Sequence, residues 1–247
     1  MVPPQEVLEL FGWRTNGIPN IADKGSRISV NIAAAILEEL NVDRRSTEKG
    51  QTMGRNFERA ISQILEDRLQ LLDEDRPWVV GSQKITDFAQ YAHLAHVRWL
   101  AEADPTLRSS LGTDYLIKPD ITVGIDTDAL HHLHAAVSCK WTIRSDRVQN
   151  IRHEGVVLTR HRRGRQPHFV AVTAEPLPSR LAAIARGTGE LDCVYHVALQ
   201  QLRTAAHAVG SQLTGRRHEN PFDTLEELIE QDRLRPFDDL PYVIAHY

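Results

Sequence analysis

The chain of 247 residues has 29 Lys and Arg against 33 Asp and Glu, a net charge of −4 that disfavours non-specific coating of nucleic acid. With 41% apolar and 25% charged residues, the composition predicts a globular protein with a large core and excludes collagenous and disordered classes. Two cysteines, no apolar run near the roughly 20 residues of a membrane span and no signal-peptide pattern predict a protein of the reducing cytoplasm, neither secreted nor membrane-embedded.

Apolar residues recur at helical spacing over most of the first hundred positions. This period predicts helices over residues 26–40, 54–72 and 85–103, with a short strand over 78–80. After residue 120 the pattern changes to short runs rich in β-branched residues, which are typical of strands. The predicted elements there are strands over 121–125, 135–142, 168–173 and 194–197, a polar turn over 126–134, helices over 145–162 and from Pro178, and a helical C-terminal region.

These elements predict a small central sheet with helices around it, an α/β or α+β architecture. The sequence has no internal repeat and no linker rich in Gly, Ser or Pro, so a single domain over residues 1–247 is the simplest organisation. Within it we expect a helical N-terminal part over about 1–105, a sheet core over about 106–200 and a helical C-terminal part over about 201–247.

Charge is distributed unevenly along the chain. Between Arg144 and Arg165 seven arginines and two acids give a local balance of +5, and between Glu219 and Asp239 eight acids and two arginines give −6. A run of like charges is usually a solvated face, and we interpret the acidic run as an exposed helix. Every cation of the first run is arginine, whose fork fits phosphate groups and guanine edges, so DNA is the alternative partner of that run.

A carboxylate and a lysine lie near the ends of two consecutive predicted strands. Asp120 precedes the strand over 121–125, and Lys140 lies near the end of the strand over 135–142. A hairpin would bring them together, and phosphodiester hydrolysis uses such a pair: the carboxylate holds a divalent cation and the ammonium orients water and offsets phosphate charge. Taken singly, a Pro-Asp pair is typical of a turn, and a strand-end lysine typically extends its amine into solvent.

Two further acids border apolar faces of predicted helices. Glu154 lies three residues after Ile151 and four before Leu158, and Glu58 lies three residues before Ile61. Most acids in such places are ordinary surface residues, because a buried carboxylate needs a partner. A metal ion or a phosphate-positioning network would be such a partner.

Residues 138–147, SCKWTIRSDR, resemble the active-site and recognition segment of the NgoMIV-like type II restriction endonucleases. These enzymes form part of the CCGG-recognising branch of the PD-(D/E)XK nucleases. The resemblance covers most of residues 20–199 and implies an α/β fold with a central mixed β-sheet flanked by helices. Further similar segments lie at 51–52, 54, 57–58, 90–94, 111–112, 114–115, 119–120, 172–176, 178–180, 187–190 and 192–196.

The resemblance implies a catalytic set of Asp120, Lys140, Glu154 and Glu58. Asp120 is then the central metal-binding carboxylate and Lys140 the catalytic lysine. The wider superfamily has an acid two residues before the lysine, where this chain has Ser138; in this branch the acid comes fourteen residues after the lysine, which is the position of Glu154. Glu58 is the helical acid that completes the site.

A Mg²⁺ cofactor is implied by the same resemblance. Its ligands would be the side chains of Asp120 and Glu154 and the main-chain carbonyl of Cys139, which makes the Cys139 thiol incidental. The resemblance also implies recognition of DNA by residues at the start of the helix after the catalytic strand, namely Arg144, Asp146 and Arg147.

Arginine donates two hydrogen bonds to guanine, and aspartate accepts one from cytosine, so these three residue types suit a target of G·C pairs. The simpler interpretation is a capped helix start with charged neighbours. By resemblance, the three contact the inner CCGG, while Asp23, Ser26 and Arg180 contact the outer bases of GCCGGC. Lys24 departs from the family pattern, and the segment between Asp120 and Ala136 is shorter than in the family.

The implied activity is sequence-specific, Mg²⁺-dependent hydrolysis of both strands of a palindrome, leaving 5′-phosphate ends. Its partners would be double-stranded DNA and further copies of the chain: at least a dimer and, by resemblance, a tetramer that engages two sites. Two alternatives stay open. One is a structure-specific repair or recombination nuclease of the same superfamily; the other is a DNA-binding protein on an inactive nuclease scaffold, although that protein would not need all four catalytic residues.

Three histidines within four residues, His131, His132 and His134, suggest a zinc site, but no spaced partner pair accompanies them. We therefore predict a solvated loop there. The sequence contains no glycine-rich phosphate loop, because residues 187–189 (GTG) are too short for one, so we expect no nucleotide cofactor.

Overall fold

The computed structural model describes residues 2–43, 50–111, 116–187, 189–213 and 220–247. Its helices and strands alternate as an α/β protein. In chain order they are α1 (Gln5–Leu8), α2 (Arg27–Glu39), α3 (Gly50–Leu72), β1 (Trp78–Gly81), a 3₁₀ helix (Ile85–Asp87), α4 (Ala92–Ala103), α5 (Pro105–Leu111), β2 (Ile121–Ile125), β3 (His132–Lys140), α6 (Ser145–His161), β4 (His168–Thr173), α7 (Pro178–Ala185), β5 (Cys193–His196), α8 (Leu199–Gly210), α9 (Pro221–Glu230), β6 (Leu234–Pro236) and α10 (Asp239–His246).

The described strands form one mixed sheet in the order β1-β2-β3-β4-β5-β6. β1, β2 and β3 pair antiparallel, whereas β3, β4, β5 and β6 pair parallel. β3 is buried along its interior and β4 throughout. Strands buried on both faces need helices on both faces, which explains their continuous apolar runs. The predicted central mixed sheet flanked by helices is confirmed.

Helices pack against the sheet and against one another around a shared apolar core. α3 packs against β1, β3 and α10, while α7 packs against α6, α9 and β5, and α2 packs against α8. Because β3 and α3 are in contact, a side chain on the inner face of α3 reaches the end of the central strand. No helix in the described ranges is both long enough and apolar enough to cross a membrane.

The predicted helix over 85–103 is wrong in its first third. Only a 3₁₀ turn forms at its start, and the α-helix begins at Ala92. Phe88 is extended and fully buried, against Gly124 of β2, where any added Cβ would lie 3.0 Å from the Phe88 ring. The Gln90 side chain bonds both the N–H and the carbonyl of Leu133, at 2.9 and 2.6 Å. These long-range contacts outweigh the local helical period.

Two other predictions need correction. β3 begins at His132, inside the predicted polar turn, so His134 is buried in a strand and its ring nitrogen lies 2.8 Å from the carbonyl oxygen of Ile244. The C-terminal region is not helical throughout, because the short edge strand β6 pairs with β5. The similar segments at Gly112, 114–115 and Thr188, and Glu219 of the acidic run, lie outside the described residues.

His196, at the end of β5, is a buried histidine whose neutral ring is fully bonded. The Ala198 N–H donates to Nδ1 at 3.1 Å, and Nε2 lies 3.2 Å from the carbonyl oxygen of Glu175. These partners fit a ring with its proton on Nε2. Burial lowers the pKa of His196 to about 4, although the hydrogen bond to the Glu175 carbonyl raises it. Protonation of His196 is therefore coupled to folding.

We expect the wild type to lose its stability advantage over His196→Asn as the pH falls. Below its ordinary pKa of 6.5 the unfolded histidine binds a proton that the folded state takes up only near pH 4. The difference in unfolding free energy should shrink by about 2 kcal/mol between pH 7.5 and pH 5. Urea unfolding of both proteins measures it.

The experiment compares the wild type with His196→Asn because buried acids, present in both proteins, change the stability with pH in the direction opposite to His196. The pKa values of Glu154 and Glu175 are raised to about 7 by burial, so their contribution to stability falls as the pH rises. Asparagine keeps an oxygen that can accept the Ala198 N–H and has no titratable ring. A difference independent of pH would show that His196 is not held neutral in the fold.

Candidate active site

Asp120 and Lys140 meet at one edge of the sheet, where β2 begins and β3 ends. The antiparallel register pairs Ile121 with Val137, which brings Asp120 beside the last residues of β3. One carboxylate oxygen of Asp120 accepts the Cys139 N–H at 2.7 Å and forms an ion pair with the Lys140 amine. Both side chains are largely buried, with exposed fractions of 20% and 11%. The hairpin thus produces the juxtaposition expected from the sequence.

Glu154 approaches the same place from α6. Its carboxyl is buried, and its Oε2 has no hydrogen-bond partner within the described residues. Burial raises the pKa of Glu154 to about 7, Asp120 raises it further, and Lys140 and the Ser138 hydroxyl lower it. Ser138 also lies 3.4 Å from Asp120 through its hydroxyl. Ser138 therefore lies between the carboxylates of Asp120 and Glu154. The second acid of the site comes from α6 and not from the strand that carries Ser138.

Glu58 faces the group from α3. Burial is the main cause that raises its pKa, Asp120 raises it further, and Lys140, Arg147 and Arg55 lower it. The preceding residue, Phe57, is fully buried. It therefore fixes the face of α3 that carries Glu58.

Trp141 is a positioning residue that the sequence analysis did not single out. It follows Lys140, and its ring packs edge-to-face against Phe57 and Phe11, with centroids 5.3 and 4.9 Å apart. Its indole N–H donates to the carbonyl of Asn20 at 3.1 Å. Trp141 thus joins the end of the catalytic strand to α3 and to the N-terminal segment. In the sequence, the one indication of this positioning role is that Trp141 directly follows Lys140.

A cleft of about 600 Å³ opens above these residues. Among the described residues its lining has a single acid, Glu58, although the chain as a whole is acidic. A cationic cleft in an acidic protein concentrates an anionic ligand at one place and leaves the remaining surface repulsive. The cations of the lining are Arg14, Lys24, Arg55, Lys140, Arg144 and Arg147.

Four of the six predicted base-contacting residues line a second, smaller pocket of about 220 Å³. They are Asp23, Arg144, Asp146 and Arg180. Arg144 is the N-cap of α6 and Asp146 lies in its first turn; their side chains are 71% and 61% exposed, so both are accessible to a ligand. Arg180 donates to Asp23 at 2.8 Å, a contact across 157 positions.

The remaining two predicted base-contacting residues lie elsewhere. Arg147 lines the larger cleft beside the catalytic group. Ser26 is the N-cap of α2, where its hydroxyl accepts the Ser29 N–H at 3.2 Å. In the free protein the Ser26 hydroxyl is therefore engaged in capping α2.

The carboxylates offer oxygen donors that suit a hard divalent cation. The buried Glu154 Oε2 without a partner is the donor that a cation would satisfy. No three His, Cys, Asp or Glu side chains group closely enough to hold a metal ion in the part of the chain that the structure describes. An ion held by Asp120 and Glu154 must therefore take its other ligands from main-chain carbonyls and water, as Mg²⁺ commonly does.

The mixed sheet, the Asp120–Lys140 pair at its edge and the cationic cleft define a nuclease of the restriction-endonuclease-like fold. The family model of the NgoMIV restriction enzyme matches residues 11–129 and 126–246. The chain belongs to the NgoMIV restriction enzyme family and is therefore a site-specific deoxyribonuclease. Enzymes of this class generally need a divalent metal ion.

A curated relative supports the same assignment. The type II restriction enzyme NgoMIV of Neisseria gonorrhoeae is 38% identical over 272 aligned positions, which cover 96% of this chain and 93% of the relative. The two stretches matched by the family model meet at residues 126–129, between β2 and β3. That break falls in the segment expected to be shorter than in the family.

Proposed function

We propose that the chain is a Mg²⁺-dependent type II restriction endonuclease that hydrolyses both strands at a CCGG-containing palindrome, GCCGGC, and leaves 5′-phosphate ends. The observation that carries the proposal is the contact of Asp120 and Lys140 beneath a cationic cleft. Family membership supports a restriction enzyme, and the residues of the second pocket support a target of G·C pairs.

Lys140 is the catalytic lysine of this proposal. Its amine lies in the cleft lining and is held by Asp120, so its charge faces the place where a scissile phosphate would lie. A fixed positive charge there stabilises the extra negative charge of the transition state, and the amine can orient the attacking water through a hydrogen bond. Glu58, across the cleft on α3, completes the site and positions that water.

The side chains of Asp120 and Glu154 and the main-chain carbonyl of Cys139 would hold the cation. A divalent ion in such a site supplies Lewis-acid charge that polarises a phosphoryl oxygen and lowers the pKa of water. Two carboxylates, the Lys140 amine and the buried Ser138 hydroxyl interact with one another in a single network. Magnesium is favoured over softer metals because the donors are oxygens.

Base recognition is assigned to the rim of the cleft. Arg144, Asp146 and Arg147 at the start of α6 would contact the inner CCGG, because they combine guanine donors with a cytosine acceptor. Asp23 and Arg180 would contact the outer pair, together with Ser26 if its cap is released on binding. We expect no nucleotide cofactor, and we propose that the enzyme acts on DNA in the cytoplasm.

The direct test is to incubate the purified protein with plasmid DNA and Mg²⁺ and to sequence the fragment ends. We expect every end to lie within GCCGGC and to carry a 5′-phosphate. Cleavage of synthetic junctions or flaps without regard to sequence, with the plasmid left uncut at GCCGGC, would identify a repair or recombination nuclease. Specific binding without cleavage in any divalent metal would identify an inactive scaffold, and random ends would contradict sequence recognition.

A palindromic target requires at least a two-fold dimer, and resemblance to the family extends the proposal to a tetramer of two dimers. We expect a plasmid with two GCCGGC sites to be cut faster than a plasmid with one, and light scattering to give the mass of four 27.9-kDa copies. The segment between β2 and β3, which we expect to be shorter than in the family, would change the protein surface at that place. Equal rates and the mass of two copies would contradict the tetramer and leave the dimer standing.

A further inference from the structure

Glu175 is a buried carboxylate outside the catalytic group. It lies just beyond β4, two residues after Thr173, and Thr173 is the register partner of Lys140. Glu175 is therefore at the same edge of the sheet as the active site, in the connection to α7, but only 1% exposed. A carboxylate removed from water to this extent is costly unless its oxygens are bonded.

Both oxygens of Glu175 accept main-chain N–H groups from different connections. Oε2 accepts the N–H of Ile143 at 2.6 Å, and Oε1 accepts the N–H of Leu177 at 3.1 Å. Ile143 belongs to the connection between β3 and α6, and Leu177 is the N-cap of α7. One side chain thus joins the two connections. Burial raises the pKa of Glu175 to about 7, while these N–H groups and Arg180 lower it.

Arg180 binds the other main-chain group of Ile143, its carbonyl. Its guanidinium donates to the carbonyl of Ile143 and also to Asp23. Ile143 therefore has its N–H held by Glu175 and its carbonyl held by Arg180, and the next residue is Arg144. The two sets of proposed base contacts, one beginning at Arg144 and one containing Arg180 and Asp23, share this single anchoring point.

We propose that Glu175 is a positioning residue for base recognition: it fixes the spacing between the inner-base set at the start of α6 and the outer-base set formed by Arg180 of α7 with Asp23. The inference rests on the proposed function. A purely structural carboxylate would contribute to stability alone. A positioning carboxylate also controls how well both sets fit one DNA duplex at the same time.

The test is Glu175→Gln, with binding measured in Ca²⁺ to three duplexes: GCCGGC, ACCGGT with altered outer pairs, and GCATGC with altered inner pairs. Glutamine can accept one of the two N–H groups but presents its own NH₂ to the other. We expect the affinity ratio of GCCGGC to each altered duplex to fall by about tenfold or more, with GCATGC binding little changed. Arg180→Ala removes an outer-base contact and also the bond to the Ile143 carbonyl, so it should lower both ratios, and the ratio for ACCGGT more.

Asp192→Asn is the matched control. Near the opposite end of β4, Asp192 accepts the Phe169 N–H at 2.8 Å and lies 2.9 Å from His168 Nδ1, so replacing its carboxylate with an amide should lower stability and leave both ratios unchanged. If Glu175→Gln does not fold, Thr173→Val replaces it: the change removes a hydroxyl that accepts the Glu175 N–H at 3.1 Å and donates to the Trp141 carbonyl at 3.4 Å, and it leaves the Glu175 carboxylate in place. About a threefold fall in both ratios is then expected.

Two failures are distinguishable. If the wild type shows no preference for GCCGGC, the proposed target is wrong and the role of Glu175 falls with it. If the wild type discriminates and both Glu175→Gln and Thr173→Val discriminate equally well, or if the ratio changes for one altered duplex only, Glu175 does not couple the two sets and this inference alone is overturned.

Discussion

Replacing Lys140 with alanine is expected to lower the rate of DNA cleavage by at least about a thousandfold while leaving specific binding intact. The Lys140 amine is the cation in contact with Asp120, and it lies in the lining of the cleft. Its loss removes a fixed charge where negative charge develops on the phosphate. No base edge is contacted by Lys140 in the proposed complex, so affinity for GCCGGC in Ca²⁺ should change only a few-fold.

The matched control is Lys118→Ala. Lys118 is exposed and lies two residues before Asp120, so its removal changes the charge of the same region without touching the catalytic group. Cleavage is measured under single-turnover conditions with Mg²⁺, and thermal unfolding checks that both variants fold. A Lys140→Ala protein that cuts within tenfold of the wild type would mean that the lysine is a structural partner of Asp120.

The second large effect is expected for Arg147→Ala. A lost bidentate contact with guanine costs about 1–3 kcal/mol, and the contact occurs twice in a symmetric complex, so cognate affinity should fall by about 2–6 kcal/mol. Affinity for random duplexes should fall far less. Arg147 lines the large cleft, from which it also lowers the pKa of Glu58.

Arg163→Ala provides the comparison for Arg147→Ala. Arg163 lies just beyond α6, in the same basic run, and its side chain is exposed. We expect at most the loss of one phosphate contact, seen as an equal weakening on cognate and random DNA and a shallower salt dependence. Competition binding in Ca²⁺ compares the two variants. If Arg147→Ala keeps the full ratio of cognate to random affinity, Arg147 does not contact bases.

The catalytic group could be predicted from the sequence because its geometry is local. Asp120 and Lys140 lie at the open ends of two strands joined by a hairpin, and antiparallel pairing leaves them few places other than side by side. Glu154 follows on the next helix, and its place next to an apolar stripe indicated burial. Strand periodicity and a short connection were sufficient to predict that Asp120 and Lys140 meet, whereas the role of Glu154 was implied only by the family resemblance.

Contacts between distant parts of the chain could not be predicted in this way. The Arg180–Asp23 ion pair spans 157 positions, and the hydrogen bond between Trp141 and Asn20 spans 121. Hydropathy patterns indicate that a side chain is buried, but they do not identify its partner. Glu175 illustrates this limit: an acid after a buried strand was visible, yet its two N–H donors come from connections that only the folded sheet brings together.

The position of the second acid on α6 links recognition to cutting. Arg147 and Glu154 are on the same helix, seven residues apart, which is about two turns or roughly 10 Å along the axis, so both point to similar sides. In the proposed complex, a mismatched base pair that pushed the first turn of α6 outward would also move the Glu154 carboxylate away from Asp120. On the proposed function, a wrong sequence would therefore lower the cleavage rate as well as the affinity.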